Sequence, residues 1–166
     1  MLKVVGEVAC DGTLVERDPW IALKVSWLPR ISVQPLYVQI SGSNGGEIEL
    51  KVDPISGSLY QAILLLSPQS SLDVPKFHMV NDGRRSATPV IDRHIWEDGR
   101  DLSDWVSMQG SFVRLAAVIG LERADNGMRI SFNESIPSSF IRAGNVEVGC
   151  ADDGELASIT ALCDLW

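Results

Sequence analysis

The sequence predicts an all-β or β-dominated α+β fold, in which antiparallel sheets are built from two sequence-related halves. Three observations carry this prediction: one long phrase occurs twice, apolar and polar residues alternate in both copies, and an Asn-Gly pair separates two apolar runs. Alternation with a period of two is typical of a strand with one buried face. These features favour short antiparallel strands over helices.

The repeated phrase reads GEIELKVDPISGSLYQAILLL over residues 46–66 and GNVEVGCADDGELASITALCDL over residues 144–165. When one residue is skipped in the turn, the copies coincide at Gly46 and Gly144, Glu49 and Glu147, Gly57 and Gly154, Leu59 and Leu156, and Leu65 and Leu162. In each copy an alternating segment is followed by turn residues and a second apolar segment. Because Asp and Gly satisfy turn geometry, each copy is predicted to be a β-hairpin, and the repeat indicates a duplicated hairpin unit.

The predicted core follows the repeat. We expect it to contain Ile48, Leu50, Val52, Leu59, Ile63 and Leu65 from the first copy, and Val146, Val148, Cys150, Leu156, Ile159 and Leu162 from the second. The cysteines are widely spaced and form no Cys-x-x-Cys motif, which disfavours a zinc site or a disulfide framework. Cys150 and Cys163 are therefore interpreted as small core hydrophobes.

Further strands are expected around the hairpins, at LKVVGEVAC, WIALKVSWL and LYVQIS. In the second half, Asn126-Gly127 lies between two apolar runs, which is a strong signal for a hairpin with a type I′ turn. This interpretation places Val113, Leu115, Ala117, Ile119 and Leu121 on one face. Apolar residues at helical spacing in the same arm leave residues 112–121 open as strand or helix.

A single compact domain over residues 1–166 is expected, with halves at about 1–67 and 111–166 joined by a crossing segment at 68–110. The crossing segment contains prolines and turn dipeptides, so we expect it to be mostly irregular, with one or two short helices, one of them near residues 102–108. Long irregular connections inside compact domains are uncommon and often functional. The crossing segment is therefore the first candidate for the functional site.

The formal net charge is −8. This charge disfavours nucleic acid and anionic membrane as partners, because both are polyanions. No stretch approaches the roughly 20 unbroken apolar residues of a spanning helix, and the N-terminal sequence does not resemble a signal peptide. We expect a cytoplasmic protein whose charge-steered partner is basic; the oligomeric state is left open.

No familiar catalytic, phosphate-binding or metal-binding motif occurs in the sequence. The glycine-rich stretch at residues 41–46 fits a hairpin loop, and DDGE at residues 152–155 lacks the spacing of a calcium loop. His94 lies beside Asp92, but no serine or cysteine is placed by sequence to act as its nucleophile. We expect no catalytic residue, cofactor or metal, and leave a hydrolase that uses scattered carboxylates as a minority alternative.

Acidic and aromatic residues concentrate within IDRHIWEDGRDLSDW in the crossing segment. Carboxylates steer a basic partner, and tryptophan supplies a large contact area. The predicted protein-interface residues are therefore Asp92, Trp96, Glu97, Asp98, Asp101, Asp104 and Trp105. The alternative is a solvated loop whose two tryptophans anchor it on the sheet.

The phrase EIELKVDPISGSLYQAILL, with its echo VEVGCADDGELASITAL, resembles a pattern in small bacterial β-rich proteins. Some of these are immunity proteins of contact-dependent inhibition and related polymorphic toxin systems. The resemblance covers less than a third of the chain and implies no catalytic residues. It implies a protein that neutralises a basic toxin by direct binding; a structural or small-ligand-binding β-sandwich, free to form oligomers, is the alternative.

Overall fold

The computed structural model describes residues 2–17, 20–30, 32–79, 85–97 and 111–163. Within these ranges the chain is dominated by β-strands, as predicted, and its one helix, α1 (His94–Glu97), is a single turn. No helix in the described part has the length and apolar character needed to cross a membrane. The strands are β1 (Val4–Ala9), β2 (Gly12–Glu16), β3 (Leu23–Leu28), β4 (Leu36–Gly42), β5 (Glu47–Val52), β6 (Leu59–Leu66), β7 (Leu72–Asp73), β8 (Ala87–Ile91), β9 (Phe112–Ala117), β10 (Ile119–Ala124), β11 (Gly127–Phe132), β12 (Ser139–Ala143), β13 (Val146–Cys150) and β14 (Leu156–Leu162).

Two six-stranded sheets contain the two copies of the repeat. The first has the order β2-β3-β6-β5-β4-β9, and the second has the order β12-β13-β14-β11-β10-β7. Neighbours pair antiparallel except at one edge of each sheet, where β9 lies parallel to β4 and β7 lies parallel to β10. Without β9 and β7, the orders β2-β3-β6-β5-β4 and β10-β11-β14-β13-β12 are equivalent, which matches the sequence repeat. Origin of the halves by duplication stays a prediction.

The crossing segment is less irregular than predicted. It contributes β7, β8 and α1, and β8 pairs antiparallel with β1 in a separate two-stranded ribbon. β8 is largely buried, whereas β1 is mostly exposed. The strand signal of β8 is weak because Pro89, which cannot donate to a ladder, lies in its middle.

All predicted core residues are buried except Leu65, Leu162 and Cys163. Leu65 is 37% exposed, and Leu162 is half-buried. The pairing register shifts twice between β5 and β6 and once between β13 and β14. An extra residue in one strand changes which side chains face inward beyond it, so Leu64 and Ala161 take the buried positions instead.

Residues 112–121 form strands, which decides between the two alternatives left open by the sequence. They comprise β9 and the start of β10, divided at Val118. The side chains predicted to share one face are all buried or half-buried. These side chains are nevertheless divided between two sheets, because β9 joins the first sheet and β10 joins the second.

The hairpin of β10 and β11 is present, but its predicted turn is wrong. The register places Asp125 and Asn126 in the turn and begins β11 at Gly127. The side chain of Asn126 accepts from the N–H of Phe77 at 3.0 Å and donates to its carbonyl oxygen at 2.9 Å. Gly127 permits close packing instead, since a Cβ there would lie 2.4 Å from the carbonyl oxygen of Ala161.

Candidate functional site

Asp92 and Arg93 hold the start of α1 in place. The Oδ1 atom of Asp92 accepts from the backbone N–H of His94 at 3.1 Å and lies 2.6 Å from His94 Nδ1. These hydrogen bonds lower the pKa of the Asp92 carboxyl from its usual value. The Arg93 guanidinium donates to the carbonyl oxygens of Pro54 and Ile55 at 2.6 and 2.9 Å. Both charged groups therefore have structural roles at this turn.

Trp96 is a core residue, which corrects its expected role as an exposed interface anchor. Its side chain is 3% exposed, and its indole N–H donates to the carbonyl oxygen of Tyr37 at 3.2 Å. Tyr37 lies in β4, so this indole fixes α1 against the first sheet. A partner could reach the ring only by displacing α1, and Trp96 is removed from the interface candidates.

The other predicted interface residues lie at or beyond the limit of the described chain. Glu97 ends α1. The remaining candidates, like the helix expected near residues 102–108, lie outside the described residues: Asp98, Asp101, Asp104 and Trp105. Their role at an interface stays a prediction.

A cleft that sequence analysis missed lies between β1 and β12. Its volume is about 600 Å³. Val4, Gly6 and Glu7 line one side, residues 138–142 line the other, and residues of the turn after β13 close one end. Binding sites in proteins commonly enclose roughly 300–1,000 Å³, so the cleft is large enough to receive a ligand or a short peptide segment.

The walls of this cleft combine apolar and acidic groups. Phe140 is 36% exposed on the β12 side, and its ring lies 5.4 Å from the guanidinium carbon of Arg142. Glu7 and Asp152 contribute carboxylates, and neither forms an ion pair with another described residue. The cleft therefore offers contact area together with uncompensated negative charge.

The positive charge of Arg142 is offset within the protein. Its Nε donates to Oε2 of Glu147 at 2.7 Å, and Glu147 is only 7% exposed. This pair ends a cross-strand row in the second sheet that comprises Glu122, Arg129, Thr160, Glu147 and Arg142. The equivalent row in the first sheet comprises Glu16, Lys24, Ile63, Glu49 and Gln39.

Exposed apolar side chains on β1 extend the surface beside the cleft. Val5 is 63% exposed and Val8 is 41% exposed, although β1 is paired with β8. These two side chains leave apolar surface on β1 that the described part of the chain does not cover.

The thiol of Cys150, at the end of the cleft, is not activated. Burial raises its pKa above the usual value, and the negative charge of Glu7 raises it further. A protonated thiol is a poor nucleophile. This part of the cleft supports binding rather than covalent chemistry.

A second cleft, of about 440 Å³, contains His78 and Cys163. Cys163 was expected in the core but is half-buried here. His78 and Cys163 line this cleft together with Phe77 and Asn126. Across the described ranges, no group of three His, Cys, Asp or Glu side chains could hold a metal ion.

The cleft between β1 and β12 has no local sequence signature. It brings the first strand of the chain together with residues 138–154, and its acidic residues lie far apart in the sequence. The repeat offers one signal that could have located it. β1 precedes β2 in the chain as β9 precedes β10, so the repeat predicts equivalent places for β1 and β9. β9 pairs with β4, whereas, among the described residues, β1 pairs with β8 and leaves the equivalent place beside β12 open.

Comparison with protein-family models and with curated proteins finds no match to this chain. The geometry and charge of the cleft therefore carry the functional interpretation.

Proposed function

We propose that this protein is a non-catalytic binding module that captures a basic protein, acting as an immunity protein against a bacterial toxin. The observation that carries the proposal is the cleft between β1 and β12, where Glu7 and Asp152 lie beside the exposed ring of Phe140. Apolar contact area supplies affinity, and carboxylates select a basic partner. The net charge of −8 adds long-range attraction.

The acidic residues of the crossing segment are the second part of the proposal. Glu97, Asp98 and Asp101 act as steering charges, with Asp104 and Trp105 adjoining them in the sequence. Attraction between exposed charges is screened over about 8 Å at physiological ionic strength. Replacing the three steering residues by lysine should therefore slow association and reduce its dependence on salt.

The direct test uses the purified protein product of the neighbouring gene as the partner. Titration calorimetry should detect a stoichiometric complex whose affinity falls as salt is added, since carboxylates contribute to the encounter. The same complex should suppress the toxicity of the partner in proportion to the amount of this protein added. Absence of a complex at both low and high salt would overturn the proposal.

Exposed Val5 and Val8 favour a second candidate function, in which the protein is structural and assembles through β1. Self-association would cover these side chains without any foreign partner. Sedimentation equilibrium separates the candidates: a concentration-dependent oligomer that Val5→Thr and Val8→Thr weaken supports assembly, whereas a monomer at all concentrations supports the binding module.

A further inference from the structure

Two equivalent strands differ at their outer edges. β4 and β12 hold the same place in the two five-strand orders. The outer edge of β4 is covered by β9, which runs parallel to it from the Tyr37–Phe112 pair to the Gly42–Ala117 pair. Within the described ranges, β12 pairs only with β13. An edge strand leaves alternate backbone N–H and C=O groups without ladder partners.

β1 holds the position in the chain that corresponds to β9, but the cleft separates it from β12. The N–H of Val4 donates to the carbonyl oxygen of Gly154 at 2.8 Å, and β12 begins opposite Cys150 at the same end of the sheet. From there β1 pairs with β8, and β8 lies against β12 without pairing to it. The outer edge of β12 therefore opens towards the cleft.

β9 shows which residues suit a strand in this position. Val113 and Leu115 pack against the core, while Arg114 donates from Nε to Oε1 of Gln39 at 3.2 Å. The strand thus places one basic residue between two apolar residues that pack against the core. The cleft beside β12 is lined by both polar and apolar side chains, and the carboxylates of Glu7 and Asp152 are among them, which suits a strand that carries apolar and basic residues.

We propose that the cleft receives an extended segment of the basic partner, which adds to β12 as a parallel strand and alternates apolar residues with lysine or arginine. This inference rests on the proposed function and specifies its binding mode. Backbone hydrogen bonds supply affinity in strand addition, and alternate side chains supply specificity. A second copy of this chain is disfavoured as the occupant, because two copies with a net charge of −8 repel each other.

Phe140→Pro is the most direct variant. Ala143 and Val146 flank a two-residue turn, so the hairpin ladder uses the backbone groups of Ala143, Ile141 and Ser139. The N–H of Phe140 then points away from β13. Proline removes this donor without breaking the hairpin ladder, and Phe140→Ala is the control that removes the ring but keeps the N–H.

The probe is a labelled synthetic peptide that alternates valine and lysine, with a valine–glutamate peptide as the charge control. The lysine peptide should bind the full chain, and hydrogen exchange should show protection of the Phe140 amide. Phe140→Pro should weaken its affinity by about tenfold or more, and Phe140→Ala should weaken it less. Glu7→Lys should also weaken binding, whereas Asp125→Lys, the same charge change at an exposed turn, should not.

Two results would overturn the inference: equal affinity of Phe140→Pro and the unchanged protein, or protection only at other strands. A dimer that Phe140→Pro abolishes would assign the cleft to a second copy and overturn the proposed occupant. If Phe140→Pro does not fold, the Glu7→Lys and Asp125→Lys pair decides.

The inference and the proposed function can fail separately. A stoichiometric complex with the neighbouring gene product that neither Glu7→Lys nor Phe140→Pro weakens would leave the function standing and overturn the cleft as its site. Strand addition by the lysine peptide, without any complex with that protein, would overturn the proposed toxin partner and keep the cleft as a peptide site.

Discussion

Gly57 and Gly154 occupy equivalent hairpin turns, and each accepts a backbone hydrogen bond from the ribbon of β1 and β8. The N–H of Ile91 donates to Gly57, and the N–H of Val4 donates to Gly154, both at 2.8 Å. Val4 and Ile91 are themselves register partners in the ribbon. The ribbon therefore ties the turn of one hairpin to the turn of the other.

Both glycines have positive φ, 76° at Gly57 and 81° at Gly154. Side chains are strained in this region, and a Cβ at Gly57 would also lie 2.9 Å from the carbonyl oxygen of Ile91. We expect Gly57→Ala and Gly154→Ala each to lower the free energy of unfolding by about 1–3 kcal/mol, with the larger loss at Gly57. Urea unfolding measures this. Gly6→Ala is the control, because nothing lies within 4 Å of its Cβ position; equal midpoints for all three variants would contradict the prediction.

Two neighbouring leucines in β6 should contribute very differently to stability, because the bulge in this strand buries one and exposes the other. Leu64 is 1% exposed and Leu65 is 37% exposed. Leu64→Ala should cost about 2–4 kcal/mol of stability by leaving a cavity, whereas Leu65→Ala should cost under about 1 kcal/mol. Thermal unfolding of the two variants, side by side, tests the register. The reverse ranking would show that the strand continues its alternation without the bulge.

Trp96 should affect stability rather than binding. Trp96→Ala removes a buried ring and its hydrogen bond to Tyr37, so we expect a loss of about 3–5 kcal/mol. Trp20→Ala is the matched control, since Trp20 is 89% exposed, and should leave the melting temperature nearly unchanged. A Trp96→Ala variant that keeps its melting temperature but loses affinity for the partner would restore the interface role.

The Arg142–Glu147 pair should contribute more to stability than the Lys24–Glu16 pair of the first sheet. Arg142→Ala leaves the carboxylate of Glu147 buried without its partner, which should cost about 2–4 kcal/mol. Lys24→Ala removes the ion pair with Glu16, whose side chain is 40% exposed, and should cost about 0.2–1 kcal/mol. Chemical unfolding at low and high salt provides the comparison. Equal losses would show that burial of Glu147 does not matter.

Tyr60 should make the fold sensitive to alkaline pH. Burial raises the pKa of its phenol to about 12, whereas the unfolded chain ionises near about 10. The native state retains the proton longer, so this stabilising contribution is complete below pH of about 10 and is lost as pH rises through about 12. The free energy of unfolding should fall less steeply over this range in Tyr60→Phe than in the unchanged protein. Identical slopes would rule out Tyr60 as the cause.

Local patterns predicted the strands in which alternate side chains enter the core. Alternation located β5 and β13 because every second side chain there enters the core. The same rule failed at Leu65 and Leu162, since a bulge depends on how the partner strand fits. Composition also failed at Trp96, because an aromatic residue among charged ones can be either an exposed contact or a buried anchor.

The candidate site was less predictable than the fold. Glu7 and Asp152 approach the same cleft only because β1 and the turn after β13 meet in space. The periodicity of the sequence does not predict that these two segments lie close together. The interface residues of the crossing segment were predicted from their density of charge. A high density of charge indicates solvent exposure and a preference for basic partners, but it contains no information about tertiary position.

The parallel pairing of β4 with β9 has a kinetic consequence. Gln39 and Arg114, which are bonded across this ladder, are 75 residues apart in the chain. Closing so long a loop costs entropy before any contact repays it, and ladders of this kind are slow to form. The hairpins should therefore appear early, with this closure following as the slow step. Since β9 lies beyond the crossing segment, the first sheet gains its last strand only after most of the chain has been synthesised.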